Sequence, residues 1–165
     1  MGTSISGLHA DGRRLIDYAR TIAQWSRMNY GEEVLIKNLT KIICDLKQYY
    51  TQHAFARPFG VALLIAGVDR TGAQLYSTGA SGSFWGWKAT AIGMNSEKAH
   101  EILAKSYKFD MSIEESLILG AKTIKDVLKV DLNEDNLELA KVSVEGKKFT
   151  ILSKNEVREI LDKIS

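Results

Sequence analysis

A few residues in this chain are of types that do chemistry, and each demands a particular neighbourhood. Thr3 comes first, because a processed amino-terminal threonine can attack a carbonyl with its own amine as base. That role requires a mature chain that starts at Thr3 and runs at once into a strand. Here Gly2 precedes it, and a glycine and then a helical pattern follow. Cys44 lies beside Ile42 and Ile43 within a helical pattern, with nothing nearby to lower its pKa, and reads as a packed thiol. Ser81 stands in Gly79-Ala80-Ser81-Gly82-Ser83, not Gly-x-Ser-x-Gly, and the strand-to-helix elbow is missing. His9, His53 and His100 lack the local spacing of a zinc helix or finger. Gly79, Gly82 and Gly86 fall between two strands, with no helix N-terminus to receive a phosphate, so they read as a turn. Glu114 and Glu115 are adjacent and point to different sides of a helix. Trp85 and Trp87 share one face of a strand and read as core or interface packing. The residues therefore assign no catalytic site, no cofactor site and no metal ligand.

The elements that carry these residues fall into three blocks. The first is helical. Asp11 is expected to cap a helix whose inner face is Leu15, Ala19 and Ile22, and Gly31 separates it from a stronger helix. In that second helix Leu35, Leu39, Ile42, Leu46 and Tyr49 form the expected seam, with Lys37, Lys41, Asp45 and Lys47 mostly off it. It should end near His53, ahead of Pro58.

The middle block reads as strands. An apolar run from Phe59 to Asp69 meets the turn Asp69-Arg70-Thr71-Gly72, and Gln74 to Thr78 follows as its partner. After the glycine loop, Ser83 to Gly93 is expected to be a third strand. The last block reads helix, helix, strand, strand, helix. Asn95 or Ser96 caps a segment with Ala99, Ile102 and Leu103 on one side. Ser112 with Glu115 forms a capping box ahead of Leu117, Ala121, Ile124 and Leu128. Leu137 to Val144 and Lys148 to Leu152 form a hairpin. A second capping box, Ser153 with Glu156, opens a helix that buries Val157, Ile160, Leu161 and Ile164.

Short hairpin connections call for antiparallel pairing, since a parallel sheet needs crossover helices. The apolar run predicts at least one sheet buried on both faces, between layers of helix. With 165 residues, one domain with a substantial core is expected. Hydrophobic residues at 45% and charged residues at 25% are ordinary for a globular protein. Twenty-two basic against 20 acidic side chains give +2, which leaves no electrostatic footprint for nucleic acid. No apolar run is long enough to span a bilayer, and no secretory signal is visible at Met1. The single cysteine fits a reducing compartment. Proteins or small molecules are the expected partners.

The segment Tyr50-Thr51-Gln52, Arg57-Pro58-Phe59-Gly60-Val61-Ala62-Leu63-Leu64, Gly67 and Asp69 resembles the central signature of proteasome alpha-type subunits. The likeness continues in register through Gln74-Leu75-Tyr76, Ser81-Gly82 and Trp87-Lys88-Ala89-Thr90-Ala91-Ile92-Gly93. Upstream, Ile5-Ser6-Gly7-Leu8 with Ala10, Asp11 and Arg13 is similar to a strand end and the first long helix of that family. Downstream, Asn136 to Ala140 and Leu152-Ser153 with Glu156-Val157 also fit. Lys47-Gln48, Gly86-Trp87 and Asn95-Ser96 look most like the third-position alpha paralogue of eukaryotes.

The resemblance implies an α+β fold, the four-layer αββα sandwich of N-terminal-nucleophile hydrolases. It implies a non-catalytic subunit in a heptameric outer ring of the 20S particle, which templates assembly, offers a docking surface to a regulatory particle or activator, and serves ubiquitin-dependent degradation. Neighbouring alpha and beta subunits would be the partners, with no cofactor, nucleic acid or membrane. The location would be cytoplasm and nucleus in a eukaryote, cytoplasm in an archaeon. Residues 1–165 are expected to form one alpha-type domain lacking roughly the first third of the family fold, and the absent strands would leave sheet edges open. Where the family loop usually reads Asp-Pro-Ser-Gly, this chain has Gly79-Ala80-Ser81-Gly82, which should loosen the turn. One rival reading is a beta-type threonine peptidase. Counted from Thr3, however, the helper aspartate and lysine of catalytic relatives fall near Ala19 and Leu35. The other rival is a divergent fragment acting as a protein-binding module.

Overall fold

The computed structural model describes residues 1–164. The chain forms two compact units, Met1–Lys88 and Ala89–Ser165. In the first, strand β1 (Gly2–Gly7) leads into helices α1 (His9–Tyr30) and α2 (Ile36–Gln52). Strands β2 (Val61–Asp69), β3 (Gly72–Thr78) and β4 (Phe84–Gly86) follow. The four strands make one antiparallel sheet in the order β1-β2-β3-β4. Short connections thus give antiparallel pairs, as expected.

Register explains the core. Thr3 pairs with Ile65, Ile5 with Leu63 and Gly7 with Val61, so alternate residues of β1 and β2 share one face. Val61, Leu63 and Ile65 on that face are almost completely buried with Leu15 and Ala19 of α1 and Ile36, Leu39 and Ile43 of α2. The opposite face carries Ala62, Leu64 and Ala66, all only half-buried, and Trp85, which is 54% exposed. The expected burial on both faces is therefore corrected: helices cover β2 on one side only.

Three further expectations change. Asp11 does not cap α1. Leu8 holds the N-cap position without a side-chain bond, and Asp11 sits in the first turn. A carboxylate is favoured there by the helix dipole, and it finds a stronger partner than its own backbone, Arg57. The seam of α2 is turned by one residue, so that Ile36, Leu39, Thr40, Ile43, Cys44 and Lys47 are buried while Tyr49 is 51% exposed. A count of apolar residues places the lysine outside, but the sheet supplies oxygens that receive its ammonium. The third strand is shorter than Ser83 to Gly93. It stops at Gly86, and Trp87 closes it by donating its backbone N–H to Leu75 and its indole Nε1–H to Ser77.

The second unit contains α3 (Ser96–Ser106), α4 (Ile113–Leu128), the hairpin β5 (Ala140–Val142) and β6 (Phe149–Ile151), and α5 (Lys154–Asp162). Both expected capping boxes are present, Ser112 with Glu115 and Ser153 with Glu156. Asn95 precedes α3 in the left-handed region, with no side-chain capping bond. Leu137, Leu139, Leu152, Val157, Ile160 and Leu161 pack around Ala121. Ile124 and Leu128, expected on the inner face of α4, are 37% and 43% exposed. Their turn is shared by Thr123, which is buried and donates its hydroxyl to Leu119 O. Among the described residues no helix is long and apolar enough to cross a membrane.

The glycine loop between β3 and β4 is pressed against α2. Gly82 has φ +91°, and a Cβ there would lie 2.4 Å from the carbonyl oxygen of Cys44. Gly82→Ala is therefore expected to lift the loop off the helix and destabilise the chain by about 1–3 kcal/mol, read as a lower urea midpoint with an unchanged slope. Gly72→Ala, where nothing lies within 4 Å but φ is +100°, separates backbone strain from the clash.

Candidate functional site

Two polar constellations sit where α1 and α2 meet the sheet. In the first, the Asp11 carboxylate receives two bonds from the Arg57 guanidinium, at 2.6 and 2.8 Å, and a third from the backbone N–H of Gly60 at 2.9 Å. The Arg57 bond and the Gly60 amide hold the carboxyl down to about 2, well below the usual range. Arg57 also donates to Pro58 O. The Arg-Pro-Phe-Gly segment is thereby fastened to α1 immediately before β2 begins.

The second constellation centres on Lys47, which has no exposed surface. Its ammonium donates to Val61 O at 2.8 Å and to Thr78 Oγ1 at 2.9 Å, and Thr78 Oγ1 also accepts the N–H of Leu63. Burial pushes Lys47 down to about 8. A lysine of lowered pKa touching a threonine hydroxyl is, on distance alone, a base beside a nucleophile. Yet Thr78 is 2% exposed, and its oxygen is already held by two donors. Sealed from substrate, the pair ties α2 to β2 and β3. Sequence reasoning missed Lys47. The available signal was its position four residues after Ile43 and three after Cys44, on the helix face those two bury.

The residues singled out by type have other surroundings. Thr3 lies within β1, so a strand does include it, contrary to expectation. Ala19 is in the core and Leu35 is the N-cap residue of α2. Cys44 is buried with its thiol 3.9 Å from Ser83 O, and desolvation pushes it up to about 11, the condition of a packed thiol. Ser81 Oγ is 3.3 Å from Ser83 Oγ, in a loop that joins two strands. His53 stacks on Tyr49, with centroids 3.5 Å apart, and His100 Nε2 accepts the backbone N–H of Ala91. His9 opens α1. No cluster of three or more His, Cys, Asp or Glu among the described residues is placed to hold a metal ion. Glu115 serves its capping box and Glu114 pairs with Lys163. Trp85 and Trp87 lie beside Ser77 on the face that the helices leave uncovered.

Comparison with known proteins gives this arrangement a family. Residues 1–142 match the family model described as Proteasome subunit. The proteasome alpha subunit of Pyrobaculum aerophilum is 48% identical over 99% of this chain and 67% of its own length. Those of Methanopyrus kandleri and Methanocaldococcus jannaschii are 40% and 42% identical over 99% of the chain, with 66% and 62% of their own lengths covered. The chain belongs to the proteasome subunit family, as an alpha-type member. It spans about two thirds of the length of these relatives. The relatives are archaeal, so the likeness to the eukaryotic third-position paralogue gains no support from them.

Lys47 makes a testable claim about pH. The unfolded chain keeps this proton to about pH 10.4, whereas the folded chain releases it near 8. Between those values the unfolded state binds more protons, so stability rises with pH. Relative to Lys47→Met, the wild type is expected to gain on the order of 3 kcal/mol from pH 8 to 10.5, measured by urea unfolding of both proteins at each pH. A gap that does not change with pH would contradict the burial of a charged lysine.

Proposed function

We propose that the chain is a non-catalytic structural part of the outer alpha ring of a 20S-type proteasome. In this reading it contributes to ring assembly and to the surface on which activators dock. The observation that carries the reading is 40–48% identity, over 99% of the chain, to proteins named proteasome subunit alpha. The geometry supports it in two ways. The Lys47–Thr78 contact, on distance alone a base beside a hydroxyl, is closed to substrate. Each unit also has helices on one side of its strands and apolar strand surface on the other. In the second unit that surface includes Phe149 and Ile151, which are 37% and 64% exposed. Such one-sided layers are what a four-layer αββα sandwich of the N-terminal-nucleophile type is built from. We place the completion of that sandwich in polypeptide beyond these 165 residues, corresponding to the third of the relatives' length that the chain does not span. Neighbouring alpha and beta subunits would then be the partners, working in the cytoplasm if the protein is archaeal like its relatives. The ubiquitin dependence known from eukaryotes has no support from them.

Co-expression with the unmatched third of the Pyrobaculum aerophilum alpha subunit, followed by native mass spectrometry, tests this. One-to-one complexes gathered in sevens are expected, unreactive toward a threonine-directed covalent inhibitor. The proposal falls if the chain stays alone while the relative's own matched segment assembles under the same conditions. Labelling of Thr3 would instead establish the peptidase reading.

A further inference from the structure

The connection between α2 and β2 carries a strained aromatic tip. Residues 53–60 form neither helix nor strand, and of residues 53–58 all but Ala56 are exposed. At the tip, Phe55 holds a φ of +66°, a left-handed geometry that a bulky side chain adopts only under strain. Its phenyl ring is fully exposed, more so than any other large apolar side chain among the described residues. Burial therefore returns nothing for the strain. One backbone bond closes the turn, from Ala56 N–H to His53 O at 3.2 Å. The chain is pinned on either side. His53 stacks on Tyr49 with centroids 3.5 Å apart, and Arg57 is gripped by Asp11 at 2.6 and 2.8 Å.

An endopeptidase takes its substrate as an extended segment and reads the side chain before the scissile bond in a pocket. Extending residues 54–56 relieves the strain at Phe55 and gives up one backbone bond and almost no buried apolar surface. Phe55 offers an aromatic group to such a pocket. Arg57 is a poor offer to a basic-selecting enzyme, because Asp11 holds its guanidinium and the ring of Pro58 fixes the backbone after it. We infer that the Phe55–Ala56 bond is a proteolytic modification site for an endopeptidase with an aromatic-accepting pocket, and that the first unit stays folded after the cut. Water adds across the peptide bond, leaving a carboxylate on Phe55 and an ammonium on Ala56. The two pieces remain joined by the β1–β2 ladder, by Asp11 with Arg57 and Gly60, and by Lys47 with Val61 O and Thr78. Leu15, Leu39 and Ile43 also stay packed with Val61, Leu63 and Ile65. This site rests on the first unit alone, independent of the ring-subunit reading.

The test treats the whole chain with a trace of chymotrypsin and follows the products by intact mass spectrometry. The first products should be residues 1–55 and 56–165, ahead of any cut at Phe109, which is 79% exposed. The two pieces should co-elute in size exclusion and part only in denaturant. Phe55→Ser, a change at a fully exposed position, should slow the cut in this connection by about tenfold or more. Measured against a free peptide substrate, the rate at Phe55 should stay flat in urea below the unfolding transition, since the cut needs no global opening. A first cut elsewhere, a rate that climbs with the unfolded fraction, an unchanged rate in Phe55→Ser, or pieces that separate in buffer would overturn the inference.

Discussion

The first unit depends on the Asp11 carboxylate. One side chain in the first turn of α1 accepts both arms of Arg57 and the amide of Gly60, joining segments that lie 46 and 49 residues apart in the chain. Fixing Gly60 sets where β2 begins, and the start of β2 sets its register with β1 on one side and β3 on the other. In a sheet, a slip of one residue would turn Val61, Leu63 and Ile65 away from the helices. The clamp and the apolar alternation therefore specify the same register. Leu8, which donates its N–H to Gly60 O, adds a backbone bond at the same point.

Lys47 does at the far side of the helix layer what Asp11 does at the near side. Both are charged residues placed against backbone of β2 or its entry, and both join a helix to the sheet through groups that apolar packing would leave without partners. Their electrostatics differ. Asp11 has a full counter-charge and is stabilised as an anion, while Lys47 has only neutral oxygens around it and is strained as a cation. A fold that keeps a buried lysine at such a cost gains precise placement of α2 over β2 and β3, because its two acceptors, Val61 O and Thr78 Oγ1, belong to different strands.

Much of this was legible beforehand. The two capping boxes, the Asp69-to-Gly72 turn, the Leu15–Ala19 face and the end of α2 at His53 all follow from local spacing, because local hydrogen bonds and periodicity decide them. The alpha-type family was also readable, from Tyr50 to Asp69 above all. The errors share a physical cause. Asp11, Lys47 and Trp87 each take a partner distant in sequence, and that partner overrides the local rule that would have made them a cap, a surface residue and a strand interior. Strand β1 shows in the sequence only as the strand end that the family resemblance gives at Ile5 to Leu8, because Gly-Thr-Ser-Ile-Ser-Gly has a single large apolar residue and its position comes from pairing with β2. The open face of the sheet could not be read from Val61 to Val68, since a continuous apolar run looks the same whether one face is covered or both.

The claim that a carboxylate clamp organises the helix-covered sheet is tested most directly by acid unfolding. The folded-state value of Asp11, about 2, lies below its value of about 3.9 in the unfolded chain. Its contribution is thus complete above pH 4 and is lost as the pH falls through 2. Urea unfolding of the wild type and Asp11→Asn between pH 6 and 2 should show a gap in stability that is constant above pH 4 and closes toward pH 2. A gap that persists unchanged to pH 2, or no gap at neutral pH, would contradict the account.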